Sequence, residues 1–174
     1  MKNKIIALSC TVAMLVFGSE ANAATSNTAS ANASATILTP IALTNTTPLA
    51  FGTIVPSTSA GTVTVATNGT RSGANVVLIS TASTNGTASS AAAFDITGEN
   101  SKIYSVTLPA DNTVNITSGN DRMVVNSFTS DVATGGNKLT GGKDNFHVGG
   151  TLLVGASQAA GTYSGTFSVT AQYN

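Results

Sequence analysis

Few residues in this chain can do covalent or metal chemistry. His147 is its one histidine. In a reactive site it would serve as an acid, a base or a metal ligand. No second ligand follows at useful spacing, so it reads as a strand histidine beside Phe146. The carboxylates are scattered, and no Asp-x-Asp-x-Asp-Gly calcium loop is present. Asp144 and Asn145 near Gly141-Gly142 could help hold a cation, but a glycine-rich turn accounts for the same residues. There is no Gly-x-Ser-x-Gly and no spare histidine for a serine triad. Gly149-Gly150 lacks the Lys-Ser/Thr and the helix of a phosphate loop. It reads instead as a bulge or a close backbone approach. Phe51, Phe94, Tyr104, Phe128, Phe146, Tyr163, Phe167 and Tyr173 could make a sugar platform, yet each falls at a strand position, where core packing explains it. The expectation is therefore no enzyme, no cofactor and no metal.

Composition narrows the partners. The 174 residues carry seven basic and seven acidic side chains, and only 8% of the chain is charged. A nucleic-acid binder needs a basic stripe that displaces counterions, and this chain has none. An anionic membrane surface would need basic clusters too. What remains is a surface of Thr, Ser, Asn, Ala and Gly, with little self-repulsion to oppose association.

The N-terminus reads as an export signal. Lys2 and Lys4 precede an apolar run, Ile5 to Phe17, that is too short to span a membrane. Ala21-Asn22-Ala23 then gives the small-x-small pattern of a processing site, which places cleavage between Ala23 and Ala24. The organisation expected is a signal over 1–23, a flexible extension over 24–36 and a domain over 37–174. The single cysteine, Cys10, lies in the signal. The exported part would then have no disulfide, so its stability must come from packing, assembly or a partner. Nothing after residue 23 is long and apolar enough for a membrane span.

These side chains must be positioned by strands. Period-two alternation recurs along the chain, with Gly-, Asn- and Pro-containing turns between. The spacing predicts strands at 37–43, 49–55, 62–67, 75–80, 92–97, 103–108, 113–117, 122–128, 146–154 and 162–173. Many short strands of this kind predict an all-β, antiparallel sandwich.

The two ends contrast. From Thr162 to Tyr173, Tyr163, Gly165, Phe167, Val169, Ala171 and Tyr173 share one face, while Thr and Ser dominate the other. At about 3.3 Å per residue this predicts a strand of about 40 Å. The extension 24–36 is uncharged and low in complexity, with Ala29, Ala31, Ala33, Ala35 and then Ile37 on one face. Such a segment is too poor in apolar surface to order itself, but it could add to the edge of another sheet.

Several segments resemble a family of small secreted bacterial proteins, the domain-of-unknown-function 4402 family. They are Pro40-Ile41, Leu49 to Ile54, Phe94 to Glu99, Tyr104 to Pro109, Phe146 to Leu152 and Gly161 to Phe167. The closing strand, with its penultimate aromatic Tyr173, also resembles chaperone–usher pilins, and Leu49-Ala50-Phe51-Gly52 resembles their archaic, spore-coat-U-like branch. That second resemblance implies an immunoglobulin-like sandwich lacking one strand. A periplasmic chaperone fills the gap during transit through the periplasm to an outer-membrane usher. The next subunit's extension then fills it on the cell surface. By that resemblance Tyr163, Phe167, Val169 and Tyr173 would line the chaperone- and subunit-binding edge. Ala29, Ala31, Ala33, Ala35 and Ile37 would lie in the donor strand. The chain departs from the pattern in having no disulfide and in presenting alanines where donor strands usually present bulky residues. Two functions stay open at this point. One is an exported pilus- or fimbria-like subunit that forms a homopolymer by strand addition. The other is a complete secreted sandwich acting as a matrix, surface-layer or carbohydrate-binding module.

Overall fold

The computed structural model describes residues 26–81 and 86–174. The expected signal over 1–23, and its cleavage point between Ala23 and Ala24, lie outside the described residues. Residues 37–174 form one compact unit, and residues 26–36 belong to another. Residues 26–36 contain no helix or strand and are exposed.

The described part of the larger unit is all-β. Its strands are β1 (Ala42–Thr47), β2 (Ile54–Pro56), β3 (Gly61–Val65), β4 (Arg71–Ala74), β5 (Val76–Leu78), β6 (Ala92–Thr97), β7 (Ile103–Thr107), β8 (Val114–Ser118), β9 (Asp121–Ser130), β10 (Asn137–Lys138), β11 (Lys143–Val154) and β12 (Thr170–Tyr173). Every pairing is antiparallel. A seven-stranded sheet runs β1-β6-β11-β3-β4, with β9 on the other side of β11 and β8 beyond it. A three-stranded sheet runs β10-β7-β12, and β2 pairs with β5 as a small ribbon. This is the antiparallel sandwich that the alternation predicts.

β11 organises the large sheet. Val148 pairs with Ala92 of β6 and Ser130 of β9, so those strands take opposite edges. Farther along, Leu152 pairs with Val63 of β3 and Val125 of β9. β6 and β3 therefore share one edge of β11 in succession. The change comes at Gly149-Gly150, where the register with β9 shifts. A Cβ on Gly149 would lie 2.4 Å from the Val65 carbonyl oxygen, so only glycine allows this approach.

The alternating residues meet in two clusters. One gathers Val63, Val65, Val114, Met123, Val125, Leu152 and Val154 around Phe51. The other gathers Ala92, Phe94, Ile96, Phe146 and Val148 of the large sheet against Tyr104 and Leu139. Leu49, Phe128 and Phe167 touch both clusters and join them. Phe94 stacks on Phe146 at 5.3 Å between centroids, and Tyr104 tilts against it at 6.2 Å. The eight aromatic residues among the described residues are buried or half-buried, so none of them forms an exposed platform.

Four strand expectations need correction. The first strand lies at 42–47, not 37–43. Pro40 has no N–H to give to a ladder, and β1 instead uses Thr44 to Thr47, with a register shift between Asn45 and Thr47. The second is reduced to β2, with Ala50 making one isolated bridge to Ser90. β4 was not expected, because Arg71-Ser72-Gly73-Ala74 has no apolar alternation. The closing segment is not one continuous strand. Ser164 makes an isolated bridge to Thr117 of β8, and only Thr170–Tyr173 pairs with β7. The segment leaves one sheet and joins the other, so its middle has no neighbour to pair with. The facing pattern nevertheless holds: Tyr163, Phe167, Val169, Ala171 and Tyr173 are half-buried, and the residues between them are exposed.

Candidate functional site

Glycine starts this site. A Cβ on Gly165 would lie 2.4 Å from the Asn115 carbonyl oxygen of β8, so the closing segment can approach β8 only with glycine there. Past that contact the chain swings toward β7. From Gly165 to Val169 it makes no backbone hydrogen bond. These residues are half-buried or exposed, so water or another chain can reach them. Opposite runs β1, also an edge strand, paired only with β6.

Between these edges lies a half-open cleft of about 260 Å³. Asn45, Pro48 and Leu49 form one wall, and Gly165, Thr166 and Phe167 form the other. Phe51, Phe94, Val114, Ile116 and Val125 also line it. Phe167 is held there by Phe128 at 5.0 Å and Phe94 at 6.5 Å between centroids. The cleft is thus an apolar trough between two strand edges with free backbone groups. It can accept a peptide strand, and it offers no convergent reactive groups.

The other end of the trough is tied. The Tyr173 hydroxyl donates to the Thr39 carbonyl at 2.7 Å and accepts from the Glu99 N–H. Glu99 in turn accepts from the Thr39 N–H at 3.1 Å and its hydroxyl at 2.9 Å. These two bonds, the backbone one first, together with the positive charge of Lys102, hold the Glu99 carboxyl below the ordinary glutamate range against a small desolvation cost. A lowered value stabilises the fold above the unfolded value, about 4.3. That stabilisation is lost as pH falls through the folded value. Glu99→Gln is therefore expected to shrink the loss of stability between pH 7 and pH 3, read as the urea midpoint. The change will be small because the group is exposed. Parallel pH profiles for the two proteins would show that the clasp has no acid-sensitive role.

The residues expected at the binding edge divide in their roles. Tyr163 locks its own loop: its hydroxyl accepts from Gln158 Nε2 at 2.8 Å and donates to the Ala159 carbonyl at 2.8 Å. Phe167 alone among the four lines the cleft. Val169 packs on the second cluster, and Tyr173 makes the clasp. All four point inward, so the edge itself is backbone. Ile37 is 93% exposed, while Ile41 packs on the second cluster. Ala29, Ala31, Ala33 and Ala35 are exposed in their own unit.

Three features were not found from sequence. The wall formed by Asn45, Pro48 and Leu49 carries no pattern that marks it as a binding edge. The Tyr173–Thr39–Glu99 clasp joins residues far apart in the chain. Arg71 lies in a stretch without apolar alternation, and in the sequence it is only one of seven basic residues. Its guanidinium in fact donates to three carbonyls, Phe51 at 3.0 Å, Thr53 at 3.4 Å and Ile79 at 2.7 Å. Elsewhere the candidate reactive groups serve the fold. Asp144 accepts from the buried Tyr104 hydroxyl at 2.9 Å and from Asn137. Burial first, then this bond and the carboxylate's charge, raise the Tyr104 phenol well above its ordinary range. His147 Nδ1 lies 2.9 Å from Asp131 across the β9–β11 pair, and no group of three or more metal-ligating residues occurs among the described residues.

The fold and site define a class: an all-β, antiparallel sandwich with an apolar trough between two strand edges. Residues 41–173 match the family model described as Domain of unknown function (DUF4402), and the chain belongs to that family. No curated protein and no solved structure matches the chain.

Proposed function

We propose that this protein is an exported structural subunit of a pilus- or fimbria-like surface fibre, assembled by adding a strand from one copy to the next. The observation that carries the reading is the pair of facing edges. Gly165–Val169 has unpaired backbone groups, β1 has a free side, and an apolar cleft opens between them. An inserted strand would satisfy both rows of hydrogen bonds and cover the cleft. The charge-poor surface opposes neither approach nor packing of copies. A chaperone that covers the same edges in the periplasm, and an usher that releases the subunit outward, complete the proposed route. Catalysis has no part in it.

The test removes the donor and returns it as a peptide. Protein beginning at Ile37 is expected not to polymerise. A peptide covering Ala24–Leu43 is expected to raise its melting temperature. At a hundredfold excess over Kd the stabilisation is about 2.7 kcal/mol, or roughly 5–10 °C for a domain of this size. If the shortened protein stays monomeric and peptide leaves its melting unchanged, strand addition is wrong.

A further inference from the structure

The inference concerns register, and it rests on the strand-addition reading. An extension rich in alanine fills deep pockets poorly, which is the difficulty the sequence raised. The trough removes that difficulty because its demands are uneven. Along the closing segment the inward row is Phe167, Val169, Ala171 and Tyr173, all half-buried, and Gly165, itself exposed, continues the same alternation. Four of the five carry their own side chains into the interior. Gly165 has none, and the cleft lies beside it. The extension carries the complementary series, Ala29, Ala31, Ala33, Ala35 and Ile37. Both series span the same number of residue steps, about 27 Å of strand.

We propose that residues 29–37 of one copy pair antiparallel with residues 165–173 of the next, with Ile37 opposite Gly165 and its side chain in the cleft. Alanine then faces each position that already carries a side chain: Ala35 meets Phe167, Ala33 meets Val169 and Ala29 meets Tyr173. Isoleucine falls beside Gly165, the one position of the row without a side chain, where β8 closes on the glycine itself and the cleft opens alongside. The other face agrees, since Thr36 meets Thr166, Ser34 meets Ser168 and Ser30 meets Gln172, all polar. The parallel alternative sets Ile37 on Tyr173 and an alanine beside the cleft, so the bulky residue meets the clasp and the space stays unfilled. The exposure of Ile37 in the described chain is then that of a side chain whose packing partner belongs to another molecule. Its neighbour Ile41 is already used within its own domain.

Disulfide trapping in the full-length exported protein tests the register. Directly opposed residues of an antiparallel pair have Cα atoms about 4.5–5.5 Å apart, within reach of a disulfide. Copies carrying Thr36→Cys are co-expressed with copies carrying Thr166→Cys, or separately with copies carrying Gln172→Cys. The expected result is a covalent dimer with Thr166→Cys and none with Gln172→Cys. Ile37→Ala is expected to speed fibre dissociation in detergent by about tenfold or more, the scale of a large-to-small change in a packed site. Cross-linking through Gln172→Cys, or intact fibres with neither cross-link, would overturn the register and leave strand addition standing. Failure of every copy, wild type included, to form multimers would overturn both.

Discussion

Phe167→Asp is expected to lose about 3 kcal/mol of stability, whereas Ser168→Asp beside it loses almost none. The ring of Phe167 sits against Phe128 and Phe94 and touches both hydrophobic clusters, so it joins the two halves of the core. Truncating a fully buried Phe costs about 3–5 kcal/mol. Phe167 is half-buried at the mouth of the cleft, which lowers that figure. A carboxylate there must either stay poorly hydrated among aromatic rings or swing out and leave a void, and each restores part of the cost. Against a total of about 5–15 kcal/mol for a domain, the variant should be recovered poorly and unfold at a clearly lower urea concentration. Ser168 is exposed on the opposite face, where a new charge meets water. If copies assemble by the proposed strand addition, the same variant should abolish assembly, because Phe167 is part of the trough wall. Equal midpoints for the two variants would show that the face assignment of the closing segment is wrong.

That face assignment was legible because it depends only on period two, a local property of an extended chain. Pairing is not local. Nothing within Thr162–Tyr173 shows that β8 supports one end and β7 the other. The clue that exists is Gly165, a residue that breaks an otherwise regular apolar row at the point where the chain leaves one sheet for the other. The same distinction separates the central strands from the edges. β6 and β11 are covered on their inner face and alternate clearly, so 92–97 and most of 143–154 could be read directly. β1 is an edge strand with only Leu43 and Thr47 half-buried, and its polar run Thr44 to Thr47 looks like a turn. β4 is held by pairing with β3 rather than by burial of apolar side chains. Of the site, sequence could give the inward residues of one wall. It could not give the second wall or the cleft, because those arise where β1 and the closing segment meet in space.

Arg71 is the sharpest case of a residue whose role follows from placement. Arg71→Leu is expected to cost about 3 kcal/mol, from two good charge-assisted hydrogen bonds to the Phe51 and Ile79 carbonyls at about 1.5–3 kcal/mol each, partly offset by water that reaches the half-buried site. The guanidinium ties the loop after Leu49 to the segment after β5. A Cβ on Gly52 would lie 2.3 Å from its Nη1, so glycine, with φ of +73°, leaves the arginine room. Losing the fork removes the donors to the Phe51 and Ile79 carbonyls together and loosens Phe51, which lines the cleft. A fall of roughly 6–12 °C in melting temperature is expected for a domain of this size. Arg71→Lys decides between geometry and charge. An ammonium is a point charge that cannot reproduce the planar fork to separated carbonyls. The lysine variant should therefore recover little of the lost stability. If it melts with the wild type, a positive charge at this position is all the fold requires, and the fork is incidental.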